Sequence, residues 1–236
     1  MNKENKLHFY TYKLNMTVLN ILAILLFVLV GGLIFFIERH DSYTITMYML
    51  TFFISMYAWL LLHELLHGIG FAIFKSVKKE NITFGMYLEK GIFYCMCKQN
   101  IGKKVILTSL LFPITLIGFI TLLIGMILNQ YELVFLSILN IVSSIGDIVM
   151  TIYFLKCPSD IIYLDLDDCT SFTVLSSKNL GNIKVPGIIL DKKGIYAKKK
   201  MVAKDKRKLV ISKSSYIMLA IIILLIIINI IKSILI

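Results

Sequence analysis

The stretch MYMLTFFISMYAWLLLHELLHGIGFAIF, residues Met47 to Phe74, decides how the rest of the chain is read. Apart from His63, Glu64 and His67 it is almost wholly apolar, and at about 1.5 Å per residue it is long enough to cross a hydrocarbon core of roughly 30 Å. A carboxylate between two histidines inside such a run is costly unless something compensates it, so the same stretch predicts both a membrane span and a functional centre.

Working outward, four further apolar runs repeat the pattern: Thr17 to Ile37, Val105 to Leu128 (interrupted by Pro113), Leu133 to Leu155, and Tyr216 to about Ile231. The 236 residues are 58% hydrophobic with a mean hydropathy of +0.84, an excess over a soluble domain that these runs absorb. The first run has no small-residue cleavage site behind it and reads as a span rather than a leader. The expected fold class is therefore mainly α: a polytopic membrane protein with about five transmembrane helices, a cytoplasmic β-hairpin insertion and a small β-rich cytoplasmic domain.

The net charge of +11 belongs to this picture. Lysines cluster before the first run, between Lys75 and Lys104, and between Lys192 and Lys213. The segments after the first and third runs are nearly free of them. That alternation predicts a cytoplasmic N-terminus and an external C-terminus in the cell membrane, with the lipid bilayer as partner and no nucleic acid. The lysine-rich stretch Lys198 to Lys208 would lie near the inner leaflet. Residues 1–155 would form a four-span domain carrying a hairpin at 81–99, around the turn Glu89-Lys90-Gly91. Residues 156–213 would form the β-rich domain, with strand-like runs at Ile161 to Leu166, Phe172 to Leu175 and Val185 to Leu190, and residues 214–236 a last span. Cys95, Cys97, Cys157 and Cys169 fall in the segments assigned to the cytoplasm and suit no disulfide framework.

His63 and His67 are four residues apart and share one helix face, separated by about 40°. That spacing lets two imidazoles reach one tetrahedral Zn2+, with Glu64 beside them to take a proton from a metal-activated water. Four histidines and six glutamates yield H-E-x-x-H by chance in roughly one shuffled chain per thousand. A catalytic zinc needs a third protein ligand. Asp147 is the only acidic residue within Leu133 to Leu155, at nearly the same expected depth as His63. Its alternatives are orienting a histidine ring or packing helices beside Gly146. Asn140, two turns earlier on the same face, is a candidate for hydrogen-bonding a substrate backbone, or for polar packing. His40, among the charges of an outer loop, and His8, in a solvated N-terminal tail, are not expected to be ligands.

The elements H63-E-L-L-H67-G, the Gly85 to Cys97 hairpin followed by a Pro113-containing span, S144-I-G-D147, and Pro158-Ser-Asp160 to Phe172-Thr-Val-Leu175 together resemble a bacterial integral-membrane zincin peptidase family, over roughly residues 55 to 175. The plan is similar to that of site-2-type intramembrane metalloproteases. The resemblance implies that His63, His67 and Asp147 hold zinc and that Glu64 is the base. The order Gly146-Asp147 and the lack of a proline-rich motif in that span depart from the site-2 pattern, so its substrate-clamping details do not carry over.

The expected function is a zinc-dependent intramembrane or juxtamembrane peptidase acting on a membrane protein or peptide. The alternative is a non-proteolytic metal-binding scaffold or immunity-type protein, against which the free carboxylate of Glu64 argues. Ion transport would need polar residues spread along a path, whereas here they cluster at one level. Oligomeric state has no signature in the sequence.

Overall fold

The computed structural model describes residues 7–37, 45–87, 92–166 and 170–195. A short strand, β1 (His8–Leu14), leads into two helices, α1 (Met16–Ile37) and α2 (Ile45–Ala72). The hairpin β2 (Ile82–Tyr87) and β3 (Ile92–Cys97) follows, then β4 (Ile101–Gly102) and α3 (Lys103–Pro113). A π-helical segment (Ile114–Ile120) continues into α4 (Thr121–Ile127); α5 (Tyr131–Ser143) and α6 (Ile145–Lys156) come next, and β5 (Ile162–Asp165), β6 (Ser171–Ser176) and β7 (Ile188–Ile195) close the order.

The strands other than the hairpin make one five-stranded antiparallel sheet in the order β4-β5-β6-β1-β7. The segment expected to be a solvated tail is therefore inside the sheet, between β6 and β7. Its period of two explains why: Tyr10 and Tyr12 are buried on one face, while Thr11 on the other face meets Thr173 across the ladder at 3.3 Å between hydroxyl oxygens. Tyr12 packs against Phe172 and Tyr153, and Phe154 packs against Tyr163 and Phe172. Tyr153 and Phe154 lie on the last turns of α6, so the aromatic face of the sheet anchors that helix. Burying rings of this size contributes roughly 2–3 kcal/mol each.

This sheet overturns the expected mainly-α, polytopic bundle. Among the described residues, Lys103–Ile127 is the one helical run long and apolar enough to cross a membrane, or there are two if the bent pair Leu133–Ser143 and Ile145–Lys156 counts as one span. The physical reason is that an apolar run reports the need for burial without saying what does the burying. Here much of that need is met by helix–sheet packing around α6, β1 and β6. The expected fifth span at 216–231, the terminal segment 214–236 and the lysine-rich stretch 198–208 lie outside the described residues, as do His40, Cys169 and the turn at 89–91.

Two local features shape the interior. At Pro113 the chain opens from α-helix to π-helix, because proline cannot donate to the preceding turn. Between α5 and α6 the axis bends by 52° at Ser144, whose hydroxyl donates to the Asn140 carbonyl at 2.7 Å while Ser143 donates to the same carbonyl at 3.0 Å. Such back-bonding competes with the helical ladder and bends helices.

Candidate metal centre

The centre is assembled where α2, α3 and the α5–α6 bend meet. α2 and α3 approach closely at Gly70, where an added Cβ would stand 2.7 Å from the Ser109 backbone. That closeness lets Ser109 grip His67 twice. The His67 Nδ1–H donates to the Ser109 carbonyl at 2.8 Å, and the Ser109 hydroxyl donates to the His67 carbonyl at 3.0 Å. One turn earlier, the His63 Nδ1–H donates to Asn140 Oδ1 at 2.9 Å, and the Asn140 amide is oriented by its Nδ2 lying 3.5 Å from the Pro113 carbonyl.

With both Nδ1 atoms occupied as donors, each neutral ring presents its Nε2 as an acceptor or ligand atom. The two Nε2 atoms face each other at 3.0 Å, and Asp147 Oδ2 lies 3.2 Å from His63 Nε2 and 3.4 Å from His67 Nε2. Two imidazole nitrogens and a carboxylate oxygen crowded into one triangle need a proton or a metal cation among them. The triangle also has the right size, since bonds of about 2.0–2.1 Å at tetrahedral angles place ligand atoms about 3.3–3.4 Å apart. The donor set thus fits a Zn2+ ion held by His63, His67 and Asp147, the one such group of three among the described residues.

The bend at Ser144 makes this geometry possible. In a straight helix Asn140 and Asp147 would stand about 10 Å apart along the axis. Bent, the α5–α6 pair brings Asn140 to one nitrogen of His63 and Asp147 to the other. Asn140 is 2% exposed and does not line the cavity before the metal triangle. Its side chain is placed against the His63 ring. Asn140→Ala is expected to weaken metal affinity about 10- to 100-fold while leaving all three donors present, which titration against a zinc buffer would measure.

In front of the triangle lies a cavity of about 210 Å³ lined also by Glu64, Phe93, Tyr94, Cys95, Tyr163 and Asp165. Glu64 does not join the triangle; its carboxyl group accepts a hydrogen bond from the backbone N–H of Cys95 on β3. Asp165 and Tyr163 carry no motif signature, and the only sequence hint for Asp165 is an acid inside the apolar run Ile161 to Leu166. Asp165 accepts the Cys97 N–H at 2.9 Å and the Tyr163 hydroxyl, joining the hairpin to the sheet beside the centre. Ser109 acts through a backbone carbonyl, which no side-chain pattern reveals.

Burial pushes the Asp165 carboxyl up to about 6, against the lowering effects of Tyr163 and Cys97. Because the folded-state value lies above the unfolded one, the folded protein binds the extra proton, and the associated stability is full below about pH 4 and lost as pH rises through about 6. A rise of that size corresponds to about 3 kcal/mol. The melting temperature of the unsubstituted protein should fall across that window relative to Asp165→Asn, followed by circular dichroism; parallel curves would refute the assignment. The thiols of Cys97 and Cys157 are each raised to about 11 by burial; both are free and buried, as structural residues of the core.

Residues 56–162, from the middle of α2 to the start of β5, match the model of a family described as "Putative zincin peptidase". No curated protein and no solved structure matches the chain. The family match supports a zinc metallopeptidase in general terms, and the matched segment contains His63, Glu64, His67, Asn140 and Asp147.

Proposed function

From a zincin-type match spanning a three-donor centre, we propose that this protein is a zinc-dependent peptidase in which His63, His67 and Asp147 hold the metal and Glu64 is the general base. The observation that carries this reading is the convergence of two imidazole Nε2 atoms and a carboxylate oxygen within 3.4 Å, on a cavity that also holds the separate carboxylate of Glu64. When bound, zinc supplies a Lewis acid that polarises a carbonyl and acidifies a water.

The chain's own residues do the rest. Glu64 takes the proton from the attacking water and returns it to the departing amine. The Cys95 N–H holds Glu64 in place, and Asn140 and the Ser109 carbonyl keep both rings turned toward the metal. The outer edge of β3 supports an extended substrate. The Lys98 N–H pairs inward with the Asn81 carbonyl, and the Cys97 N–H points outward to Asp165, so with the Cys95 N–H on Glu64 the alternation leaves the Phe93 backbone and the Cys95 carbonyl facing outward beside the cavity. A peptide laid along that edge would pass in front of Glu64.

A lipid surface is the proposed setting. Ile21, Ile24, Leu25 and Leu29 on α1, Leu61 and Leu65 on α2, and Leu123, Met126 and Ile127 on α4 are exposed, more apolar surface than water tolerates on a soluble monomer. The substrate would then be a membrane-embedded or juxtamembrane peptide. The test is metal content and peptide cleavage measured together on the detergent-purified protein and its Glu64→Gln form. Zinc in both with cleavage only in the first supports the reading; equal cleavage by both refutes it.

A further inference from the structure

A second cavity, of about 290 Å³, lies between α2 and the hairpin, with Glu64 on its wall. Leu61 and Leu65 form its α2 wall, and Phe84, Met86 and Phe93 form its hairpin wall. Strand register explains the apolar lining. Phe84 and Met86 lie opposite Cys95 and Phe93, so all four side chains share the hairpin face turned to α2. Two glycines permit the shape. Gly68 leaves room for the Phe84 ring against α2, and Gly85 lets the Tyr94 ring lie across its own backbone.

The chamber adjoins the metal cavity. Glu64, Phe93 and Tyr94 line both, and Glu64 is the one charged residue on the chamber's wall. A chain whose carbonyl sits at the metal beside Glu64 therefore has an apolar recess within one side chain's reach of the bond attacked. A dry cavity of about 150 Å³ lined by aliphatic and aromatic groups already admits benzene, so this one has room for a leucyl or phenyl group. Leu61 and Leu65 are about half exposed, which opens the chamber to the apolar surroundings from which such a side chain would arrive.

The geometry points to this chamber as the specificity pocket of the enzyme: it receives one large apolar side chain of the substrate peptide, next to the cleaved bond, and so selects leucine- or phenylalanine-type residues over small or charged ones. This inference rests on the peptidase reading. It names a pocket on the α2 side of Glu64, distinct from the polar cavity at the metal.

The experiment uses the full chain in detergent with zinc, and a set of fluorescent peptides identical except for alanine, leucine, phenylalanine or aspartate at one position. Cleavage is read on the unsubstituted protein, and binding on the Glu64→Gln form by fluorescence anisotropy. Filling the recess with a buried ring or isobutyl group should favour leucine and phenylalanine about 10- to 100-fold over alanine. Leu65→Trp narrows the chamber from its exposed side and should erase that preference, read as the ratio of the leucine and phenylalanine peptides to the alanine peptide. Met86→Ala enlarges it and should shift preference from leucine toward phenylalanine. Retained zinc content in both variants separates these effects from misfolding.

Cleavage with no grading among the peptides, or grading untouched by both variants, overturns the pocket and leaves the peptidase standing. Graded binding with no cleavage overturns the peptidase and leaves the pocket as a peptide site. A lipid acyl chain held in the chamber that the phenylalanine peptide fails to displace overturns the pocket as well.

Discussion

Alanine at His67 should strip the protein of its metal. The Nε2 of His67 is one corner of a triangle only 3.0–3.4 Å on a side, and no other described histidine, cysteine or acid completes a three-ligand group there. With two donors left, zinc exchanges to a chelating buffer, so affinity should fall by more than the about 10- to 100-fold expected when only an orienting partner is lost. Asp147→Ala should behave the same way. The ordering is the informative part: His67→Ala and Asp147→Ala empty the site, whereas Asn140→Ala only weakens it. Mass spectrometry of the metal bound after dialysis against a zinc buffer would read all three. Full zinc content in Asp147→Ala would move that carboxylate out of the ligand set and leave the two histidines needing another partner. Because His67 also grips Ser109, melting of the metal-free proteins should be compared, so that lost packing is not mistaken for lost ligation.

Replacing Glu64 by glutamine has the opposite signature. The amide keeps the size and shape of the carboxylate, and its oxygen still accepts the Cys95 N–H, so the zinc content should stay at its original level. What disappears is a group able to take a proton from water. Loss of a positioned general base lowers turnover by about 10²- to 10⁴-fold, and the fall should appear in kcat more than in KM. Cleavage that survives this change at its original rate would eliminate Glu64 as the base.

The parts of the centre that were legible in the sequence are those that depend on one element alone. The four-residue spacing of His63 and His67 puts both rings on one face of any helix, whatever surrounds it. Asp147 stood out because an acid in an apolar run demands a partner. The role of Asn140 was less legible. Its polarity marked it, but whether it faces substrate or the back of a histidine depends on the bend at Ser144, and a pair of serines predicts no angle. Ser109 had no signal, since its backbone carbonyl is common to every residue. Asp165 depends on the hairpin docking beside β5, a contact between residues 68 apart.

The fold divides along the same line. The alternation around residues 81–99 and in Phe172 to Leu175 revealed strands, because a period of two survives in any sheet. Which strands pair lies beyond it, and the short run at 8–14 reads as a tail because seven residues of mixed character satisfy no pattern until β6 and β7 flank them. By itself the sequence determined the local chemistry: two histidines and a glutamate on one helical face, a later lone aspartate, and apolar runs that must be buried. Only the tertiary structure decided what buries those runs, which ring nitrogens converge, and where the third donor arrives. Those outcomes depend on contacts between segments distant in the chain, and their free energies are set by packing and hydrogen-bond partners that a one-dimensional pattern does not contain.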